Sequence, residues 1–347
     1  MPTGTVARPD LRTRIVTLLT KPLDRPVFYK LAGRLQERRQ RKLPDNEIRQ
    51  LTALRAAYQD STGPDVLMFG DSAMFWTRPG ETDPRSLGDL IQDELGRGVG
   101  LHTIVGPGYN PRVVMAFLHA LKDCPSRPKI VVVPTSLMMA GRAWLRHPSL
   151  AYEVEGAALR EIIDAGEPYP AKLPRPTDAD WDRYDRLPAA SFSGAKRTYG
   201  EIRIILNAIP ATKLGLPTTK WQQLVRVRAL LELANAERLE PETVGVQLVG
   251  EAAAMLADLN LPALAYIPPV NLDVIGKLWN EKVVEHVERN ASVIEAAFRS
   301  TGGPGTDIVN AVKGTPANEF SDPAHLNEHG RHRFAALLSA EIRKRLV

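Results

Sequence analysis

The apolar run Val66-Leu67-Met68-Phe69 stops at Gly70-Asp71-Ser72, and near the other end of the chain Asp322 precedes His325 by three residues. A serine exposed where a buried strand ends, with an imidazole and an adjacent carboxylate, holds the parts of a nucleophilic serine enzyme. A serine hydroxyl is a poor nucleophile until a base takes its proton. His325 can do that near neutral pH, and Asp322 would fix the imidazole tautomer and stabilise the imidazolium. Attack on an ester carbonyl creates an oxyanion. Backbone N–H groups at Ser72 and Gly108 can meet it, since a glycine lets the backbone come close. This chemistry calls for no cofactor.

A second motif overlaps the first. His325-Leu326-Asn327-Glu328-His329 matches H-x-x-E-H, in which two histidines on one helix face bind zinc and the glutamate acts as base. Pro323 sets His325 before or at the start of any helix, and Glu341 is the only carboxylate left downstream for a third ligand, so no metal site is expected. Trp76 and Tyr109 follow the two loops closely and are candidates to line a cleft. Trp144, between Arg142 and Arg146, fits a helix surface better than an anion site. His102, His119, His147 and His286 have no partner legible in the sequence.

These residues need a scaffold. Asp65–Phe69, Leu101–Val105, Ile130–Val133 and Ala263–Ile267 are short apolar runs without alternation, as expected of parallel strands covered on both faces, and Asp307–Val312 is a weaker fifth. Helical patterns lie between them: Leu87, Leu90, Ile91 and Leu95; then Val113, Val114, Phe117, Leu118 and Leu121, with Asn110 as N-cap and Pro111 at the first helical position; last, Phe334, Leu338, Ile342 and Leu346. The alternation predicts a three-layer α/β/α domain on a parallel, flavodoxin-like sheet over residues 61–347. Residues 1–60 read as a helical N-terminal extension. Residues 145–255 read as an insertion after the third strand. Its middle, 167–188, reads as Pro- and Asp-rich loop, and Trp221, Leu224, Val227, Leu231 and Ala234 mark an amphipathic helix placed to roof a site.

The strand-end loops share one edge of such a sheet, and they resemble the marker blocks of the SGNH hydrolase superfamily, the GDSL-type esterases. Gly70-Asp71-Ser72 matches the first block and Asp322-Pro323-Ala324-His325 the last. The glycine of the second block corresponds to Gly108, with Gly106 the next choice. The resemblance implies Ser72 as nucleophile, His325 as base, Asp322 as its partner, and the N–H groups of Ser72 and Gly108 as oxyanion donors. The third block departs: where the family has an asparagine, this chain has Val133-Pro134-Thr135-Ser136. Ser136 stands about where the asparagine belongs, and Asn110 is a stand-in from the neighbouring loop. The departure is similar to SGNH-like branches that work by acyl transfer. The resemblance thus implies a hydrolase of O-acyl esters, with an O-acyltransferase as the alternative. A catalytically silent glycan-binding or scaffold module is a reading of a different class.

Length and composition bound the rest. The 347 residues, 44% hydrophobic and 24% charged, suit an ordinary globular protein. The net charge of +5 gathers early, with 13 Lys/Arg against 6 Asp/Glu in residues 1–60, densest at Glu37-Arg38-Arg39-Gln40-Arg41-Lys42. Without interleaved aromatics or a nucleic-acid motif this reads as a solvated helix face, so no nucleic acid is expected. One cysteine, Cys124, cannot form an internal disulfide, and no signal-peptide pattern or 18-residue apolar run occurs. The expectations are a cytoplasmic location, a small-molecule or carbohydrate ester as substrate, and no integral membrane segment; the oligomeric state is left open.

Overall fold

The computed structural model describes residues 46–346 apart from 61, 79, 167–169, 171 and 209–219. Most of the N-terminal extension, including its basic cluster at 37–42, lies outside the described residues.

Five parallel strands form the central sheet: β1 Val66–Gly70, β2 Leu101–Val105, β3 Ile130–Pro134, β4 Ala263–Ile267 and β5 Thr306–Asn310. They run in the order β2-β1-β3-β4-β5, with register pairs Met68↔Thr103, Met68↔Val132, Val132↔Leu264 and Ala265↔Ile308. β1, β3 and β4 are buried at every residue, whereas the edge strands β2 and β5 are only partly covered. This explains their sequences. A strand packed on both faces must be apolar throughout, while an edge strand can carry His102, Thr103, Asp307 and Asn310.

Strand side chains alternate between faces, so each strand feeds two cores. Leu67, Phe69, Val131, Val133, Ala263 and Ala265 point to one side, against the helices at Asn46–Ala57, Pro111–Ala120, Val244–Asp258 and Glu281–Thr301. Val66, Met68, Ile130, Val132, Leu264 and Tyr266 point to the other, against the helices at Leu87–Leu95 and Glu328–Leu346. The result is the expected α/β/α sandwich. Each fully buried aliphatic side chain contributes about 1.5–3 kcal/mol. The second helix begins as its sequence predicts: Asn110 Oδ1 accepts from the Arg112 N–H at 3.0 Å and Pro111 follows.

The segment after β3 departs from expectation in its middle. Asp178–Asp185 is a helix, not loop, because Thr177 and Asp180 close a capping box over its first turn. A two-strand ribbon, Pro188–Ala189 with Arg197–Thr198, follows it. Farther on, the helix Lys220–Asn235 buries Leu231, but Trp221, assigned to the same apolar face, is 70% exposed. Among the described residues, no helix is long and apolar enough to cross a membrane.

Candidate active site

In the order 2-1-3-4-5, helices leave the sheet in opposite directions on either side of the β1/β3 pair, opening a crevice at the carboxyl ends of those two strands. The loops that border it carry Asp71-Ser72 after β1 and Thr135-Ser136 after β3. Ser72 starts a single helical turn, Ser72–Phe75, that folds back on β1. Gly70 makes the fold-back possible: a Cβ there would lie 2.1 Å from Met74 Cγ. Asp71 caps the turn, its Oδ1 accepting from the Ala73 N–H at 2.8 Å. Asp71 is buried, and burial pushes its carboxyl pKa up against the opposing pull of the Ala73 N–H and of His325.

The far end of the chain reaches the same crevice. Ser72 Oγ and His325 Nε2 lie 3.2 Å apart, across 253 residues of sequence. On the other side of the ring, His325 Nδ1 lies 2.9 Å and 3.0 Å from the two Asp322 carboxylate oxygens. Asp322 Oδ1 also accepts from the Ala324 and His325 backbone N–H groups, each at 2.9 Å. Burial alone would push the Asp322 carboxyl up, but the His325 ring and these N–H groups outweigh it and hold it below the usual carboxylate range. The Trp76 ring lies over the imidazole, centroids 4.6 Å apart and planes tilted 32°. In this arrangement a proton can pass from the Ser72 hydroxyl to Nε2 while Asp322 compensates the charge left on the ring.

The loop holding Asp322 and His325 is braced from outside. The Ser321 N–H donates to the His325 carbonyl at 2.9 Å, and Phe320 bridges to Leu326. The Ser321 hydroxyl donates to Glu81 at 3.1 Å, and Glu81 in turn pairs with the buried Arg331 guanidinium at 2.8 Å. Glu81 and Arg331 are 250 residues apart, and nothing local in the sequence announces the pair.

The residues predicted for the oxyanion separate. Ser136 borders the same cavity as Ser72; its Oγ accepts from the Met139 N–H at 3.3 Å, which leaves its own proton to donate. Asn110 is corrected: besides capping its helix, it spends both amide protons on the Leu150 and Ala151 carbonyls, each at 2.9 Å, and it is 2% exposed. Gly108 takes φ +70° beside Leu150 and lies outside the lining of the cavity. Tyr109 is corrected as well. It is a core residue, its hydroxyl donating to Glu47 at 3.3 Å. Arg142 pairs with Glu237 at 2.6 Å, while Trp144 lines the cavity.

The H-x-x-E-H segment is not a helical pair. The last helix starts at Glu328, beyond His325, and Glu328 accepts from the Thr82 N–H at 2.9 Å. Among the described residues, no group of three or more His, Cys, Asp or Glu is placed to hold a metal ion. Of the other histidines, His119 pairs with Asp164 at 2.6 Å, and His147 packs between Trp144 and Trp181, where burial pushes its pKa down to about 3.

The cavity beside Ser72 holds about 470 Å³. One wall is the helix Lys220–Asn235, which contributes Gln223, Arg226, Val227, Leu230, Leu231 and Ala234. Arg226 and Gln223 were not anticipated; their signal was present, as polar residues on the cavity side of an otherwise apolar helix stripe. Burial lowers the Arg226 pKa, and the Asp322 charge opposes that shift.

The fold and the site together define a class: an α/β/α protein with a Ser–His–Asp hydrogen-bonded chain at the carboxyl edge of its parallel sheet. No protein-family model matches the sequence, and no curated protein matches it. Among solved structures, a carbohydrate acetylesterase from Sinorhizobium meliloti, Est24, aligns with a TM-score of 0.33 and 12% identity over 80% of this chain and 98% of that one. A likeness that low carries no argument; the fold follows from the sheet order and its two cores.

Proposed function

We propose that this chain is a serine-dependent hydrolase of O-acyl esters. The observation that carries the reading is the continuous contact from Ser72 Oγ to His325 Nε2 at 3.2 Å and from Nδ1 to Asp322 at 2.9 Å. In the proposed cycle His325 takes the Ser72 proton as Oγ attacks the ester carbonyl. The tetrahedral oxyanion accepts from the Ser72 N–H and the Ser136 hydroxyl, and the Gly108 N–H is a further candidate donor. Collapse releases the alcohol with the proton held on His325 and leaves an acyl group on Ser72. Water, deprotonated by the same imidazole, then frees the acid.

An activated fluorophosphonate tests this directly. Labelling of the wild type and none of Ser72→Ala supports the reading; no labelling of either supports a silent binding module instead. Transfer of the acyl group to a second hydroxyl is the other reading, favoured by Ser136 standing in place of an amide donor. Product analysis with added alcohol acceptors during turnover separates the two, since only transfer makes a new ester.

A further inference from the structure

We propose that the ester bound at Ser72 carries an aliphatic chain of about eight carbons, laid along the helix Lys220–Asn235. The inference rests on the hydrolase reading and specifies its substrate. Val227, Leu230, Leu231 and Ala234 fall at spacings of three, four and seven residues, so they form one stripe along that helix, and all four line the cavity that opens on Ser72 and His325. Leu137 and Val270 face the same space from the loops after β3 and β4.

Four ionisable residues line this cavity, and Ser136, Gln223, Asn235 and Ser321 add uncharged polar groups. Its ionisable lining residues are Asp71, Asp322, His325 and Arg226, and Arg226 is close enough to Asp322 for the two charges to act on each other. Past Arg226 the helix offers the space only apolar side chains until Asn235. A sugar needs several hydrogen-bonding partners along its length, and a chain of methylenes needs none. From Val227 to Ala234 the helix rises roughly 10 Å. An extended chain advances roughly 1.3 Å per carbon, which sets the length at about eight carbons. Ala234 is the smallest residue of the stripe and the last of its four in chain order.

The test is a pair of ester series, p-nitrophenyl esters of linear acids and acetate esters of linear alcohols, each from two to twelve carbons. In the series whose chain occupies the stripe, kcat/KM rises about two- to fourfold per added methylene up to about eight carbons and then falls. The series that shows the rise tells whether the acyl or the alcohol side carries the chain. Ala234→Phe moves the optimum at least two carbons shorter, and the milder Ala234→Leu moves it less. Fluorophosphonate labelling is run on the same preparations. A labelled enzyme with flat or falling profiles in both series overturns the aliphatic chain and leaves the hydrolase reading standing. Absence of both labelling and turnover overturns the hydrolase reading and the chain with it.

Discussion

The two sides of Ser72 are built differently. On the base side three side chains are already in hydrogen-bonding reach, Oγ to Nε2 at 3.2 Å and Nδ1 to Asp322 at 2.9 Å, and two backbone N–H groups hold the carboxylate. On the oxyanion side the donors are scattered. Asn110 is committed to the 150–151 carbonyls, Gly108 packs on Leu150, and only Ser136 joins Ser72 at the cavity wall. In the proposed cycle, proton transfer depends on a chain of three side chains. Charge stabilisation depends on the path of two loops, and in this molecule those loops have taken on structural work.

The base side therefore carries the largest expected effects. Ser72→Ala should lower kcat by about 10⁴-fold or more while leaving thermal unfolding close to wild type, because among the described residues the hydroxyl bonds only to His325. Steady-state turnover of a p-nitrophenyl ester beside a melting curve checks both halves. Asp322→Asn follows, with kcat down by about 10³- to 10⁴-fold. The amide oxygen can keep the two backbone N–H bonds, but the amide cannot stabilise an imidazolium. The same substitution has a pH signature in stability. The Asp322 carboxyl sits below its unfolded value, so its contribution is fully present above the ordinary carboxylate range and is lost as pH falls through the lower folded value. The stability gap between wild type and Asp322→Asn should thus narrow on acidification below about pH 4. A gap that widens toward acid would show the carboxyl to be raised instead.

The same contrast decides what could be read from sequence. β1, β3 and β4 were legible because burial on both faces demands unbroken apolar runs, and Ser72 was legible because it follows one of them. Asp322 and His325 were legible as a local pair. β5 gave a weak signal since an edge strand tolerates Asp307 and Asn310. The helix at Asp178–Asp185 was hidden because its polar face reads as loop unless the Thr177–Asp180 box is weighed. Tyr109 and Asn110 misled for one reason. Their types suit a cleft, but the turn that presents them aims the ring at Glu47 and the amide at residues 150–151, and only three-dimensional packing sets that aim. The Glu81–Arg331 brace behind the Asp322 loop spans 250 residues and has no local signature at all.

Ser136 and Asn110 turn the comparison into a measurement. Ser136→Ala should lower kcat by about 10- to 100-fold with KM little changed, less than the 10²- to 10³-fold typical of a dedicated oxyanion donor, because a rotating hydroxyl is less firmly aimed than an amide. It also loses the cap on the turn at Leu137–Ala140, a cost of about 1 kcal/mol. Ser136→Asn keeps the cap and supplies an amide, so it should recover much of the rate. Asn110→Ala should reverse the pattern: kcat within about twofold of wild type, and stability down by about 1–3 kcal/mol, because the partly buried Leu150 carbonyl loses its side-chain donor, the Ala151 carbonyl is left with Arg112 alone, and a helix loses its N-cap. Denaturant unfolding beside turnover separates the two variants. If Asn110→Ala instead slows turnover 100-fold with its stability intact, the 110 loop serves the oxyanion after all, and the two sides of Ser72 are more alike than their hydrogen bonds indicate.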